Sequence, residues 1–416
     1  MAQEFSQLEE KSVCDVLIVG AGMVGASTAL GLSKLGLDVV MIDAFAFSKD
    51  IPEYTPSYDA RSTALSWGTR EILEQLDVWT DIEPSVCAIE QVHVSEKGCF
   101  GTTRMHAAEY GQEALGYVVP NQCLGQSLLS KVYERSLPFY SGVKVSHISQ
   151  GKDFHQVHLS SIEQPEQQKV LNTRLMVIAD GTESSTAKLL GIAYQVEKYS
   201  QHALVANVST ALPNEGVAFE RFTKKGPLAM LPLRESDCAL VWTHDEKEIQ
   251  AHLDMSDAEF CKALEESFSE RLGPIERCGE RVSYPLKLVR AEEQCRAGVL
   301  LLGNAAHSLH PVAGQGFNLA IRGVAAFLAY IDEAVKQGLD YRSLAPLNKF
   351  CQSRMDDQNK TIALSDQLVK VFANPSHILN LARDIGLVGL DNIAPLKTIF
   401  AERAMGLADR KAHFNT

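Results

Sequence analysis

Residues 13–25 read VCDVLIVGAGMVG, an apolar run that breaks at Gly20 and resumes between two further glycines, Gly22 and Gly25. Residues 13–19 lack helical spacing and predict a buried strand, whereas 23–35 are compatible with a helix and 38–42 predict a second strand. The segment is a βαβ unit. Gly20, Gly22 and Gly25 form G-x-G-x-x-G at its first turn, where bare backbone lets a pyrophosphate approach the N–H groups and dipole of the helix start. Asp43, at the end of the second strand and about 20 residues on, can accept a hydrogen bond from a ribose hydroxyl. A dinucleotide is implied, and this pattern alone leaves FAD and NAD both open.

The 416 residues exceed the roughly 250–300 at which single cores stop growing, so two domains are expected. With 52 acidic and 39 basic residues the net charge is −13, which argues against a nucleic-acid partner needing clustered Lys and Arg. Nine scattered cysteines show no metal-ligand spacing and predict buried thiols in a reducing cytoplasm, with no metal site. Residues 16–32 carry no charge, but Glu4, Glu9 and Glu10 precede them and Gly20, Gly22, Gly25 and Gly31 punctuate them, against a signal peptide or a membrane span.

Two later strands end in small polar turns, LMVIADG at 175–181 and VLLLGN at 299–304, each expected to lead into a helix. Between them, 205–208, 217–222, 228–233 and 239–243 predict short strands of a second sheet, into which 92–116 also crosses. The expected class is α/β: a Rossmann-like nucleotide domain (1–90, 117–193, 291–375) interleaved with a smaller, mostly β substrate domain (91–116, 194–290). A helical segment (376–416) follows, in which Ile378, Leu381, Ile385 and Val388 recur at helical spacing. Asp180 reads as an acid for a nucleotide or as a turn or helix cap. The longest signal is GNAAHSLHPVAGQGFN at 303–318, where Gly314 and Gly316 flank Gln315 ahead of a long helix in another anion- or carbonyl-binding turn.

Together and in this order, G-x-G-x-x-G, the Asp180-Gly181 turn and the 303–318 segment resemble the flavoprotein aromatic hydroxylases that share the para-hydroxybenzoate hydroxylase fold, over nearly the whole chain. Within that family DARSTAL (59–65), LGYVVPN (115–121) and FERFTKKGPLAMLP (219–232) are similar to the ubiquinone-biosynthesis branch. The resemblance implies FAD as cofactor, NAD(P)H as reductant, O2 as co-substrate, and hydroxylation of the ring of a polyprenylated methoxyphenol. It assigns Gly20, Gly22, Gly25 and Asp43 to the ADP half of FAD, Arg61 and Asn121 to the pyrophosphate and ribityl, and Asp180 and Gly181 to a shared flavin and nicotinamide motif. Gly303 and Asn304 would meet the ribityl chain, and Pro311, Gly314, Gln315, Gly316 and Asn318 would line the isoalloxazine ring. Asn304 stands where most of the family has Asp, one negative charge fewer near the flavin.

Oxygen transfer calls for an apolar pocket that excludes water, with Val217, Phe219, Phe222, Met230, Leu231 and Trp242 as expected wall. A phenol reacts faster as phenolate, and lowering a pKa of ~10 by two units takes roughly 2.7 kcal/mol. Arg221 and His244 are the candidates to supply that, and with Pro311 they make the expected catalytic set; His307 and His310 are expected in structural hydrogen bonds. A prenylated substrate implies contact with the cytoplasmic face of a membrane or with other ubiquinone-biosynthesis proteins. Residues 376–416, with five basic and four acidic side chains, are the candidate contact, with packing against the nucleotide domain or another subunit as the alternative. The same motifs fit a sister hydroxylase acting at another ring carbon, or a flavin-fold scaffold subunit of a quinone-synthesis assembly.

Overall fold

In the computed structural model the described residues are 3, 5–8, 13–47, 61–98, 101–309, 314–373, 397–398, 401–402 and 405–406. Strand β1 (Val13–Val19) is apolar from Val16 onward and takes the middle of an eight-stranded sheet. It runs parallel to β2 (Val39–Asp43) on one side, with Val16 beside Val39, and to β11 (Gln168–Ile178) on the other, with Val16 beside Leu175. Parallel β8 (Phe139–Ser141) lies beyond β2 and parallel β19 (Val299–Leu301) beyond β11, with antiparallel β18 (Cys295–Arg296) outside β19. A hairpin of β9 (Val143–Ser149) and β10 (His155–Ser161) adds to β11. Strand order reverses at β1, and in such sheets the crevice beyond the carboxyl ends of the strands is where ligands bind. Helix α1 (Met23–Lys34) starts there and packs on α4 (Asn121–Glu134) and α8 (Gln315–Lys336).

The second sheet has nine strands. From one edge they run β20 (His307–Ser308), β17 (Val282–Ala291), β12 (Tyr194–Thr210), β15 (Asp237–Asp245), β14 (Gly226–Pro232), β13 (Val217–Thr223), β5 (Gln91–Glu96) and β6 (Thr102–His106), with β16 (Ile275–Cys278) also on β12. Side chains alternate between faces, as they must in a strand. One face is covered by α6 (Ile249–Asp254) and α7 (Asp257–Phe268), where Phe260, Leu264 and Phe268 meet Leu204, Leu228, Met230, Leu240 and Trp242. Ser256 and Glu259 cap α7 reciprocally, which fixes where that cover begins. The other face, including Ala203, Val205, Ala218, Phe222, Ala229 and Val241, borders a cavity against the first sheet.

A three-stranded sheet of β3 (Ser62–Ser66), β7 (Gly116–Pro120) and β4 (Cys87–Ile89) closes one side of the cavity, backed by α2 (Trp67–Gln75) and α3 (Trp79–Ile82). The long α9 (Leu344–Ala373) lies along α8 and reaches β13 and β14. Asn318, buried at the start of α8, joins these parts. Its Oδ1 accepts from the Ser66 N–H (2.8 Å) and the Thr69 hydroxyl (2.7 Å), and its Nδ2 donates to the carbonyls of Ala64 and Gly314 (both 2.9 Å).

The chain is thus an α/β protein, with several elements differing from expectation. Strand β12 begins at Tyr194 and spans 17 residues, because its polar first half pairs with β17 at the sheet's edge and needs no apolar run. After Asp180 the helix is the short α5 (Ser185–Leu189). After Asn304 comes a tight turn and then β20, which pairs with β17, so the helix waits until Gln315. Of the 376–416 segment, Ala401 and Met405 pack with Met105, Leu115 and Ala218; Ile378, Leu381, Ile385 and Val388 lie outside the described residues. Among the described residues no helix is long and apolar enough to cross a membrane, and no cluster of three potential metal ligands occurs. Asn318→Ala strands two donors and two acceptors, each worth about 1–3 kcal/mol when left unmet in the interior; loss of about 3 kcal/mol or more is expected, read as a lower urea midpoint with unchanged m-value.

Candidate active site

All three glycine and acid turns meet at one cavity of about 1480 Å³. Gly20 holds φ +106°, a conformation that favours glycine, and a Cβ on it would lie 2.5 Å from the Ala179 carbonyl oxygen. A Cβ on Gly25 would run into the Gly20 carbonyl itself. Gly22, the N-cap of α1, offers no side-chain cap, which leaves the first N–H groups of the helix for a ligand. Asp43 accepts from the N–H of Ala21 (2.6 Å) and of Phe45 (2.7 Å). Burial raises its pKa, those two bonds oppose the rise, and the charge of Asp180 adds to it. Asp180 accepts from the Thr186 N–H through Oδ2 (3.2 Å), while its buried Oδ1 has no partner among the described residues. A cradle that a side chain would fill, open helix amides, and an acid with a spare buried oxygen together suit a nucleotide diphosphate.

Gly20, Gly22, Asp43, Arg61, Asn121, Asp180, Gly181, Asn304, Gly314, Gln315, Gly316 and Asn318 all border the cavity. Arg61 lies over the Tyr284 ring at 4.4 Å and its carbonyl accepts from the Asn121 N–H (2.8 Å). Asn304 is exposed on the wall. Gly25 and Gly303 lie behind it, Gly303 against Val24. Asn318 borders the cavity with its four amide bonds spent on the protein, so it shapes the wall instead of reaching outward. His307 is buried on β20 beside Arg290, its pKa pushed down to about 4, first by burial. Pro311 and His310 lie outside the described residues.

Arg221 and His244 are not brought to the cavity. On β13 the side chains of Ala218, Glu220 and Phe222 share the cavity face, which turns Arg221 to the opposite one, near Arg271 and His93. Arg271 Nη1 donates to His93 Nε2 (2.9 Å), and burial with these cations pushes His93 down to about 4. His244 is fully buried under α6, its ring 4.3 Å from Trp242 and 3.9 Å from His252, and among the described residues neither nitrogen is hydrogen-bonded. Burial, then His252 and Lys225, push it down to about 3. The same parity corrects the expected wall: Phe222 and Leu231 face the cavity, but Met230 and Trp242 belong to the core under α7.

Two features escaped the sequence reading. Glu220 faces the cavity, as the shared parity with Phe222 in FERF would have shown. At the α8–α9 side, Asp357 accepts from Arg322 Nε (3.1 Å) and Nη2 (3.0 Å) and is also paired with Arg354. This buried group holds the two helices together, and nothing in the local sequence pairs residues 35 apart.

The sequence model of the family described as FAD binding domain matches residues 13–340. The chain belongs to that family. It is 31% identical over 398 residues to the "Ubiquinone hydroxylase UbiL" of Rhodospirillum rubrum, covering 95% of this chain and 90% of that one. It is 27% identical to the "3-demethoxyubiquinol 3-hydroxylase" of Escherichia coli, covering 94% and 98%. Among solved structures, p-nitrophenol 4-monooxygenase PnpA of Pseudomonas putida superposes with TM-score 0.71 at 18% identity (95% and 98% covered), and the OxyS anhydrotetracycline hydroxylase of Streptomyces rimosus with 0.72 at 17% (95% and 76%). The structural likenesses speak to the fold. The FAD-binding-domain protein is an FAD-dependent monooxygenase, and NAD(P)H is the reductant typical of the family.

Two outcomes follow. Gly25→Val drives a side chain into the Gly20 carbonyl and is expected to abolish flavin retention, measured as the 450 nm to 280 nm absorbance ratio of purified protein. His244, His93 and His307 titrate below the unfolded value of ~6.5, so the unfolded chain binds more protons than the folded one between their folded values and 6.5. Stability is full above pH 6.5 and falls as pH drops from there toward 4 and 3. His244→Phe is expected to flatten that fall in pH-dependent thermal unfolding while leaving kcat within about twofold.

Proposed function

We propose that this monooxygenase hydroxylates the aromatic ring of a polyprenylated methoxyphenol in ubiquinone biosynthesis. The observation that carries the reading is the two-sided character of the one cavity. Its nucleotide end has open backbone N–H groups and acids, and its other end is walled by Val92, Val94, Met105, Leu115, Ala218, Phe222, Leu231 and Val241. The names of the curated relatives supply the pathway.

The residues divide the work in a physically sensible way. The amides after Gly20 would hold the pyrophosphate and Asp43 a ribose hydroxyl, with Asp180 beside them. FAD, when bound, supplies the activation of O2 and the oxygen transfer that no side chain performs. Arg61 stacked on Tyr284 ties the small sheet to the substrate sheet at the cavity, which fixes the distance across it. The apolar wall excludes water, so that oxygen reaches the ring instead of being lost as peroxide. The prenyl tail is too apolar for water, and the protein would take it from a membrane surface without spanning it.

Deleting the gene in its host and identifying the prenylated ring compound that accumulates, with and without air, tests the proposal. Accumulation of a 2-polyprenyl-6-methoxyphenol with loss of ubiquinone only in air is the expected result. A differently substituted ring would place the reaction at another carbon of the same pathway, and unchanged quinone would overturn the reading. Purified enzyme given 18O2, NAD(P)H and a short-chain prenylated methoxyphenol is expected to yield a product heavier by one 18O atom.

A further inference from the structure

We propose that Glu220 accepts the proton of the phenol hydroxyl on the ring being hydroxylated, an inference that rests on the substrate reading above. Glu220 sits in the middle of β13, opposite Ala229 of β14 on one side and Val94 of β5 on the other. Its face of the sheet is Ala218, Phe222, Leu231 and Val241, and it borders the cavity with them. It is enclosed by protein yet keeps part of its surface, because the cavity is what it looks onto. Among the described residues its carboxyl has neither a hydrogen bond nor an ion pair.

Several charged groups of the surrounding elements are engaged elsewhere, and Lys144 and Glu280 border the same cavity. On α9, which packs against β13 and β14, Asp356 pairs with Lys360 (2.5 Å), Asp357 with Arg322 and Arg354, and Asp366 accepts from the Tyr199 hydroxyl (3.1 Å). Lys287 is bound to Glu183, Arg61 lies on Tyr284, and Glu96 lies further along β5, beside Phe222. Glu280 borders the cavity from the turn before β17. Arg221 and Arg271 stand on the opposite face of the sheet. Burial is accordingly the cause that lifts the Glu220 carboxyl to about 7. A carboxylate kept in an apolar wall without a donor is costly, and a phenol O–H is the donor that would satisfy it.

The step balances without a further reagent. The phenol O–H bond breaks, its electron pair stays on oxygen, and the proton binds a Glu220 carboxylate oxygen; the phenolate pushes electron density to the ring carbon, which takes one atom of O2 as a hydroxyl while the O–O bond breaks and the other atom leaves as water, NAD(P)H supplying the two electrons and solvent the balancing proton. When the ring regains aromaticity its displaced ring proton leaves to water and Glu220 returns its own proton to the ring oxygen. A carboxyl near 7 makes the transfer from a phenol of ~10 unfavourable by about a thousandfold, against about 3 × 10⁵-fold for an ordinary carboxyl near 4.5.

The test uses the FAD-loaded enzyme and Glu220→Gln, which keeps the shape and cannot take the proton. Expected are a 10²–10³-fold lower kcat, KM within threefold, unchanged flavin content, and loss of the limb of the kcat profile that rises through pH 7. Glu220→Ala is expected to regain part of kcat with added formate. Without reductant, a bound short-chain prenylated methoxyphenol should donate its O–H to the Glu220 carboxylate at pH 7.5, read as a shift of the wild-type carboxylate infrared band that Glu220→Gln lacks. Because the folded carboxyl holds its proton more tightly than the unfolded one, wild type should lose Tm relative to Glu220→Gln as pH rises from 4.5 to 8. Unchanged kcat and profile, a loss confined to KM, or loss of flavin in both variants would overturn the proposal. If the wild type oxidises no prenylated phenol, the substrate reading fails, and the carboxylate band, read without turnover on a bound phenol, still decides on Glu220.

Discussion

The contact on which the molecule depends is backbone against backbone, where Gly25 of α1 packs onto the carbonyl of Gly20 and Gly20 onto that of Ala179. No side chain fits between them. Three strand ends and one helix start are therefore held closer than any other residue would allow, and the ends of β1, β2 and β11 converge on one point. Asp43, Asp180 and the open amides of α1 face the same small volume only because of this approach. The negative charges there repel one another, and burial adds to the cost, which two N–H donors offset at Asp43, whereas among the described residues Asp180 Oδ1 has no donor.

Parity governs the second sheet as close approach governs the first. Shifting a strand by one residue would exchange its faces. Trp242 and His244 consequently belong to one stack under α6 and α7, Val241 to the cavity, and adjacent Glu220 and Arg221 to opposite sides. A fully buried imidazole with both nitrogens unpaired among the described residues is tolerated as a neutral ring among rings, a place that suits shape better than proton transfer.

The βαβ unit, the two later strand-end turns and the crossing of β5 and β6 into the second sheet were legible because each rests on local signals: an apolar run, a glycine, a small acid. The resemblance, carried by motifs from Gly20 to Asn318, gave the cofactor, and the family match at 13–340 contains them. Strand β12 was read short because half of it is polar, and β20 was missed because two residues carry no period. Arg221 and His244 were attractive by residue type, but type does not say which way a side chain points. Asn318 was read as lining the ring, whereas its amide is fully used in joining Ala64, Ser66, Thr69 and Gly314, residues that no linear pattern connects to it.

The two-residue strand β20 leaves a mechanical consequence. It follows directly on the turn that presents Asn304 and forms the edge of the other sheet through β17, whose Tyr284 carries Arg61. The halves of the molecule are stitched at their shared seam and not merely apposed across it. The turn that presents Asn304 and the edge strand of the second sheet are one continuous piece of backbone held by two rungs of pairing, so the two walls of the chamber share a single stretch of chain.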